Sequence, residues 1–215
     1  MGDCADLMVS TLRTTPKFTE KLCMHVGMTS IPLKADATSN LKRADWLTAA
    51  LRTDHAGEYG AVCLYQAILR VTRDPVIIEF ASQHLETETT HLERMEALLE
   101  PKDLTKLLPL WKVAGYVAGF VPALLGRNTV FATVDAVETF VDQHYLSQLI
   151  SLGKEPTADP SNEIMQLLYD CRHDELVHRE EARSHANTEG KPLLKAWQKM
   201  IEVGSHIAVG LSTRW

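Results

Sequence analysis

Four glutamates stand where apolar residues belong. From Trp46 onward apolar residues recur three and four apart, the period of an amphipathic helix, with breaks at Pro or Gly. No strand pattern competes, and the spacing predicts helices over about 46–72, 76–99, 108–125, 129–152, 161–186 and 193–211. The inward stripe of the first helix reads Leu51, Glu58, Val62, Tyr65, Leu69, and that of the second reads Ile77, Ala81, His84, Glu88, His91, Met95. A later pair repeats the pattern with Val134, Glu138, Val141, Tyr145, Leu149 and with Leu168, Cys171, Glu175, His178, Ala182. Ionised and unpaired, four carboxylates in one core would each cost several kcal/mol, so something positive must compensate them.

Hairpin geometry brings the four together. Asp74-Pro75 and Asp159-Pro160 each place a capping carboxylate before a proline suited to a first helical turn, so each marks the start of a helix antiparallel to the one before it. Glu58 lies 16 residues before Asp74 and Glu88 lies 14 after it, about 24 and 21 Å along the two axes. In the later pair Glu138 lies 14 residues before Leu152 and Glu175 lies 13 after Asn162, about 21 and 20 Å. Two hairpins joined through the 108–125 segment outline a four-helix bundle with one long crossover.

Glu88-Thr89-Thr90-His91 and Glu175-Leu176-Val177-His178 each set a carboxylate and an imidazole one turn apart on the same face. The spacing alone is cheap, about 0.7 occurrences being expected by accident. A lone Glu on one helix followed by Glu-x-x-His on the next, twice and at matched heights, is specific: it is the ligand set of carboxylate-bridged di-iron or di-manganese bundles. Any single glutamate here would more often be a boundary residue with a Lys or Arg partner, but six residues in register are not explained that way. Oxygen and imidazole donors suit Fe or Mn rather than a structural zinc site. His55, His84 and His173 have no counterpart in the repeat and are expected to face solvent or to bond to neighbours. Asp142 is expected at an exposed polar position.

With 22 Lys+Arg against 28 Asp+Glu and no run of like charge, the chain is a poor partner for nucleic acid. Cys4, Cys23, Cys63 and Cys171 are scattered, which suggests neither a disulfide framework nor a thiolate metal site. Residues 1–43 are rich in Ser and Thr and carry six bases, with Asp3, Asp6 and Glu20 interrupting them. This segment reads as a removable targeting peptide or a plain arm ahead of one domain over 44–215.

Arg52-Thr53-Asp54-His55-Ala56-Gly57-Glu58-Tyr59-Gly60-Ala61 closely resembles the first metal-ligand segment of the demethoxyubiquinone hydroxylases of ubiquinone biosynthesis. The resemblance runs on through Glu88-x-x-His91, Leu108-Pro109-Leu110-Trp111, Ala123-Leu124-Leu125-Gly126, Glu138 with His144-Tyr145, Asp174-Glu175-Leu176-x-His178 and the closing Leu211-Ser212. It implies an all-α, ferritin-like four-helix bundle with an apolar crossover helix and a C-terminal amphipathic helix. It further implies a di-iron monooxygenase that uses O2 to hydroxylate the ring of a polyprenyl quinone, with NADH as a candidate electron donor. Residue by residue, Glu58, Glu88, His91, Glu138, Glu175 and His178 take the positions of the ligands to two irons, Glu88 and Glu175 as bridges. His144 and Tyr145 fall where the family has a catalytic pair implicated in electron and proton delivery. The implied location is the matrix face of the mitochondrial inner membrane, peripherally bound, or the cytoplasmic face of a bacterial membrane. Implied partners are other ubiquinone-synthesis proteins, a lipid-presenting one among them, and a second copy of the chain.

Two other readings use the same residues: a ferroxidase or iron store, and a lipid-binding assembly protein with a vestigial site. Storage needs a polar outer shell, whereas 107–126 and 193–211 are strongly apolar, and the complete ligand set argues against a vestige. The uncharged stretch from Val113 to Leu125 is 13 residues long, short of the ~20 a spanning helix needs. Gly115 and Gly119 offer a small-xxx-small face that suits lipid-embedded contact or packing on the bundle equally. In the last helix Leu193, Leu194, Trp197, Ile201, Ile207 and Leu211 alternate with Lys195, Lys199, Glu202 and His206 as in a helix lying in a membrane interface. Gly57 and Gly60, beside Glu58, are expected to permit close helix approach.

Overall fold

The computed structural model describes residues 45–153 and 162–215, so the N-terminal arm and the Asp159-Pro160 cap expected above lie outside the described residues. Among the described residues there are six α-helices and no strand: α1 (Asp45–Val71), α2 (Pro75–Leu98), α3 (Leu108–Leu125), α4 (Arg127–Leu152), α5 (Asn162–His185) and α6 (Pro192–Ser212). Each expected helix is present with its ends within two residues of the sequence reading.

Local chemistry sets the boundaries. Asp74 caps α2, its side chain accepting from the Val76 amide at 3.0 Å, and Pro75 occupies the first turn, where its missing N–H is not needed. The same carboxylate takes two bonds of 2.7 Å from the Arg127 guanidinium, fastening the start of α2 to the start of α4. Between α3 and α4 the chain turns at Gly126 with φ +101°, a conformation that side chains with a Cβ rarely adopt.

Two apolar clusters show how the helices run. One gathers Leu64 and Ile68 of α1, Ile77 and Phe80 of α2, Val130 and Val134 of α4, and Ala182 of α5. The other gathers Leu47 and Leu51, Met95, Leu152, and Leu167 with Leu168. Thus α1 and α5 run from the second cluster to the first while α2 and α4 run the other way. This is the all-α, ferritin-like bundle expected from the sequence. The level between the clusters is where Glu58, Glu88, Glu138 and Glu175 fall.

The crossover helix α3 is laid along α1 at the closest spacing backbone allows. A Cβ added to Gly115 would meet the Gly60 carbonyl oxygen at 2.2 Å, and one added to Gly119 would meet that of Leu64 at 2.1 Å. Helix α6 is tied to its neighbours by Trp197 Nε1 donating to Thr133 Oγ1 at 2.8 Å and by Trp111 Nε1 of α3 donating to Ser212 Oγ at 2.7 Å. Gly115→Ala is expected to push α3 off α1 and destabilise the protein by about 1–3 kcal/mol, the range for overpacking, read as a lowered denaturation midpoint. An unchanged midpoint would mean that α3 is held only by its ends.

Candidate metal centre

All six residues expected as ligands converge at the level between the two apolar clusters, each at most 3% exposed. Helical period puts them there: on every core helix the acidic residue is flanked along its own stripe by apolar ones, which carry it inward when they pack. Ligand atoms of Glu58, Glu88, His91 and Glu175 lie within 4.8 Å of one another, and so do those of Glu88, Glu138, Glu175 and His178. Glu88 and Glu175 belong to both groups. His178 Nδ1 is 3.1 Å from Glu88 Oε1 and 3.3 Å from Glu175 Oε2, and His91 Nδ1 is 3.3 Å from Glu175 Oε1.

The polar atoms here lack the partners that a core demands. Glu88 Oε1, both oxygens of Glu175 and the Nδ1 atoms of His91 and His178 are buried without a hydrogen bond. Burial, and then the charges of their neighbours, hold the carboxyls of Glu88 and Glu138 well above the usual glutamate range and raise that of Glu175. Burial would also raise Glu58, but the imidazole of His91, its Nδ1 3.7 Å away, outweighs it and brings that carboxyl below its usual value. Two divalent cations would satisfy both deficits, matching four carboxylates in charge and taking up the unpaired oxygens and nitrogens. The residues therefore fit a pair of hard or borderline metal ions.

Outer contacts aim this set. His91 Nε2 is 3.1 Å from Asp174 Oδ2, an arrangement that turns the Nδ1 lone pair toward the centre. Tyr145 of α4 donates to Glu58 of α1, and Tyr65 of α1 donates to Glu138 of α4 at 3.0 Å. Each tyrosine thus braces the glutamate of the opposite helix, and burial pushes both hydroxyls up so that they remain donors. The thiol of Cys171 lies beside Glu58 and His91. Burial pushes it up to about 11, which keeps it protonated and a weak ligand.

Two sequence expectations need correction, at Asp142 and at Gly57. Asp142 is buried rather than exposed, held by Arg172 Nε and an Arg179 guanidinium nitrogen at 2.8 Å each. His84 takes the second of its two expected settings, buried and bonded to a neighbour, and His55 is buried beside Glu96. His84 packs edge-on against His178 with ring centroids 3.9 Å apart and meets Glu181 at 3.1 Å, and burial drives its pKa down to about 3. His55 lies 3.6 Å from Glu96. Of the two glycines beside Glu58, Gly60 faces Trp111 and Gly115 of α3, whereas nothing lies near Gly57; both border a cavity. His173 is exposed, as expected.

That cavity, about 470 Å³, is the second half of the site. Trp111 and Val117 of α3, Val137 and Phe140 of α4, and Trp197 and Ile201 of α6 are among its walls, and Glu58, Glu88, Glu138 and Glu175 stand at its inner end. Its size is that of a pocket for a small organic molecule, and its walls are overwhelmingly apolar. His144, Thr53 and Asp54 supply most of the other polar lining. Sequence reading passed over Asp54, Gln148 and the bracing role of Tyr65. The one available signal was the repeated seven-residue step from Glu58 to Tyr65 and from Glu138 to Tyr145.

Residues 45–212 match the family described as ubiquinone biosynthesis protein COQ7. The NADPH-dependent 3-demethoxyubiquinone 3-hydroxylase, mitochondrial, of Dictyostelium discoideum is 36% identical over 170 residues, 76% of this chain and 75% of its own. The human protein of the same name is 32% identical over 212 residues, 94% of each chain. The 3-demethoxyubiquinol 3-hydroxylase of Rhodospirillum rubrum is 32% identical over 167 residues, 76% of each chain.

Proposed function

The chain belongs to the COQ7 family of ubiquinone biosynthesis proteins, and we propose that it is the hydroxylase of that pathway, acting on the ring of a demethoxyubiquinone with O2 as co-substrate. In this reading Glu58, Glu88, His91, Glu138, Glu175 and His178 hold two irons, which when bound supply the redox chemistry that activates O2. The observation that carries it is the apolar cavity ending on the four glutamates: a quinone ring with an isoprenoid tail is an apolar ligand whose reactive end is polar. The protein's own part is to hold the ligand oxygens and nitrogens by the Tyr65, Tyr145 and Asp174 contacts and to keep water from the reacting ring by the walls of α3 and α6. Relatives' names specify NADPH, so a reduced nicotinamide nucleotide, NADPH or the NADH expected from sequence, is the electron source we assign.

His144 and Tyr145 are the residues we assign to electron and proton delivery. Tyr145→Phe removes the brace on Glu58 but no ligand, so at saturating metal it is expected to load fully, and to slow reduction of the loaded centre by roughly 10²-fold, the scale of losing one proton-transferring group. Stopped-flow reduction measures it, and an unchanged rate would make Tyr145 a core aromatic and a brace for Glu58.

Helices α3 and α6, which wall the cavity, also carry exposed apolar side chains: Val113, Leu124 and Leu125 of α3 and Leu193 and Ile207 of α6 are each more than half exposed. Helix α3 is by length and composition apolar enough to cross a membrane, but from Trp111 to Gly119 it is pressed against α1, which carries Arg52, Glu58 and Arg70, so spanning would have to draw that helix along or break this contact. We therefore place the protein on a membrane surface, in the relatives' compartment the matrix face of the mitochondrial inner membrane. Flotation with anionic liposomes is expected to carry it with the lipid, and high salt to release it only in part, since apolar burial does not screen. Wholly soluble protein with lipid-indifferent activity would shift substrate delivery to a partner protein.

The deciding experiment is iron per chain together with the product formed from a short-tailed demethoxyquinone under O2 and a reduced nicotinamide. Two irons and a product heavier by one oxygen support the reading. One metal per chain, or full zinc occupancy in active protein, removes it, and oxidation of added Fe(II) without quinone product favours the ferroxidase.

A further inference from the structure

At the inner end of the cavity one polar cluster takes no part in holding the metal groups. His144 Nε2 lies 3.1 Å from Asp54 Oδ1 and 3.2 Å from Thr53 Oγ1, and Gln148 Nε2 donates to the same Asp54 oxygen at 2.7 Å. The Thr53 hydroxyl donates to the Ala50 carbonyl at 2.6 Å, so toward His144 its oxygen accepts. The Asp54 carboxylate also accepts. The Gln148 amide nitrogen also lies 2.9 Å from His144 Nε2, so three neighbours converge on that one nitrogen; with Gln148 giving its hydrogen to Asp54 and with Asp54 and Thr53 both accepting, we assign the proton to His144 Nε2. The ring plane is set as well, lying 12° from that of Phe140 with centroids 5.9 Å apart.

This leaves Nδ1 as the uncommitted nitrogen of a ring that borders the cavity. The Asp54 side chain is fully buried and the His144 side chain is 20% exposed. Burying a carboxylate is unfavourable unless it is bonded, and the bonds Asp54 makes are to His144 and Gln148. A neutral imidazole whose Nε2 carries the proton accepts a hydrogen bond at Nδ1, and a ring hydroxyl of a quinol is a donor of the right kind.

We propose that Asp54, with Gln148, is a positioning residue that fixes His144 so that its Nδ1 binds a ring hydroxyl of the quinol substrate at the inner end of the cavity. The proposal rests on the quinone reading of the cavity given above. It assigns the ring to His144 and the tail to the apolar walls, so ring recognition and tail recognition are separable.

The test uses the full chain loaded with zinc, which supplies the charge of the centre without turning over, under argon. Binding of a short-tailed demethoxyquinol and of an isoprenoid alcohol with no ring is followed by the fluorescence of Trp111 and Trp197, which line the cavity. Asp54→Asn and His144→Phe are each expected to weaken the quinol about tenfold and the alcohol less than about twofold. In Asp54→Asn the ¹⁵N resonance of His144 Nε2 is expected to move from the protonated toward the unprotonated range, which mere loosening of the fold would not do. If Asp54→Asn does not fold, His144→Phe and Gln148→Leu decide on the same two ligands. Equal weakening of both ligands, or quinol binding that none of the variants changes, overturns the proposal while leaving the cavity a quinone site. Wild-type protein that binds the alcohol but not the quinol also overturns it, and protein that binds neither overturns the quinone reading along with it.

Discussion

Glu175→Ala is expected to retain neither iron after desalting, against two per chain in the wild type. Glu175 and Glu88 each belong to both groups of converging side chains, so one substitution strips a donor from both positions at once. Loss of an outer partner alone lowers metal affinity roughly 10–100-fold, and loss of a shared inner donor must exceed that. The readout is metal per chain by elemental analysis, with hydroxylation falling in parallel. Misfolding is separable from loss of the site by charge. In metal-free protein, burial and then the charge of Glu58 raise the pKa of the Glu175 carboxyl. Glu175→Gln, of nearly the same shape, is therefore expected to melt above wild type when both are metal-free and below it when both are offered iron. Full iron content in Glu175→Ala would take the metal away from these six residues altogether.

The same physics explains what could be read before any packing was known. A glutamate in an apolar helical stripe is conspicuous, and the fixed rise per residue converts its distance from a turn into a height, so four such residues could be placed at one level from the sequence. Asp54 and Asp142 are buried carboxylates too, yet they escaped, because their partners lie far along the chain: His144 is 90 residues from Asp54, and Arg172 is 30 from Asp142. Period alone does not say which faces of two helices meet. Gly57 and Gly60 make the point at a spacing of three, one with nothing near it and the other pressed against α3. Gly115 and Gly119 advertised a close approach without naming the partner, and only the packing on α1 chooses helix over lipid. Tyr65 shared a repeat with Tyr145 in plain view, but its acceptor sits on the opposite helix.

Removing the metal is expected to leave a protein whose stability falls as pH rises above about 6.5. The carboxyls of Glu88, Glu138 and Glu175 are raised in the fold, mainly by burial. A group that holds its proton more tightly folded than unfolded contributes stability that is complete below its unfolded pKa and is lost as pH rises through the folded one. His91 is raised as well: burial alone would lower it, but hydrogen bonds to its neighbours and the charge of Glu58 prevail, and its effect has the same sign. His84, His55 and His178 are depressed, chiefly by burial, so their contribution is present above the unfolded histidine value of 6.5 and lost as pH falls below it. The lowered Glu58 likewise contributes above the usual 4.5 and loses that contribution in acid. Below pH 6.5 these trends oppose one another. Above it the depressed groups finish titrating within about one pH unit, and then only the raised ones remain. Each proton still retained then costs up to about 1.4 kcal/mol per pH unit. Metal binding reverses the sense, since bound carboxylates and imidazoles are already deprotonated and binding becomes tighter as protons grow scarce. Urea denaturation at pH 6.5, 7.5 and 8.5, with iron and with chelator, should show a gap between the two forms that widens with pH. A metal-free protein of constant stability over that interval would mean that its core carboxylates ionise freely, and the electrostatic reason for placing two cations among them would be gone.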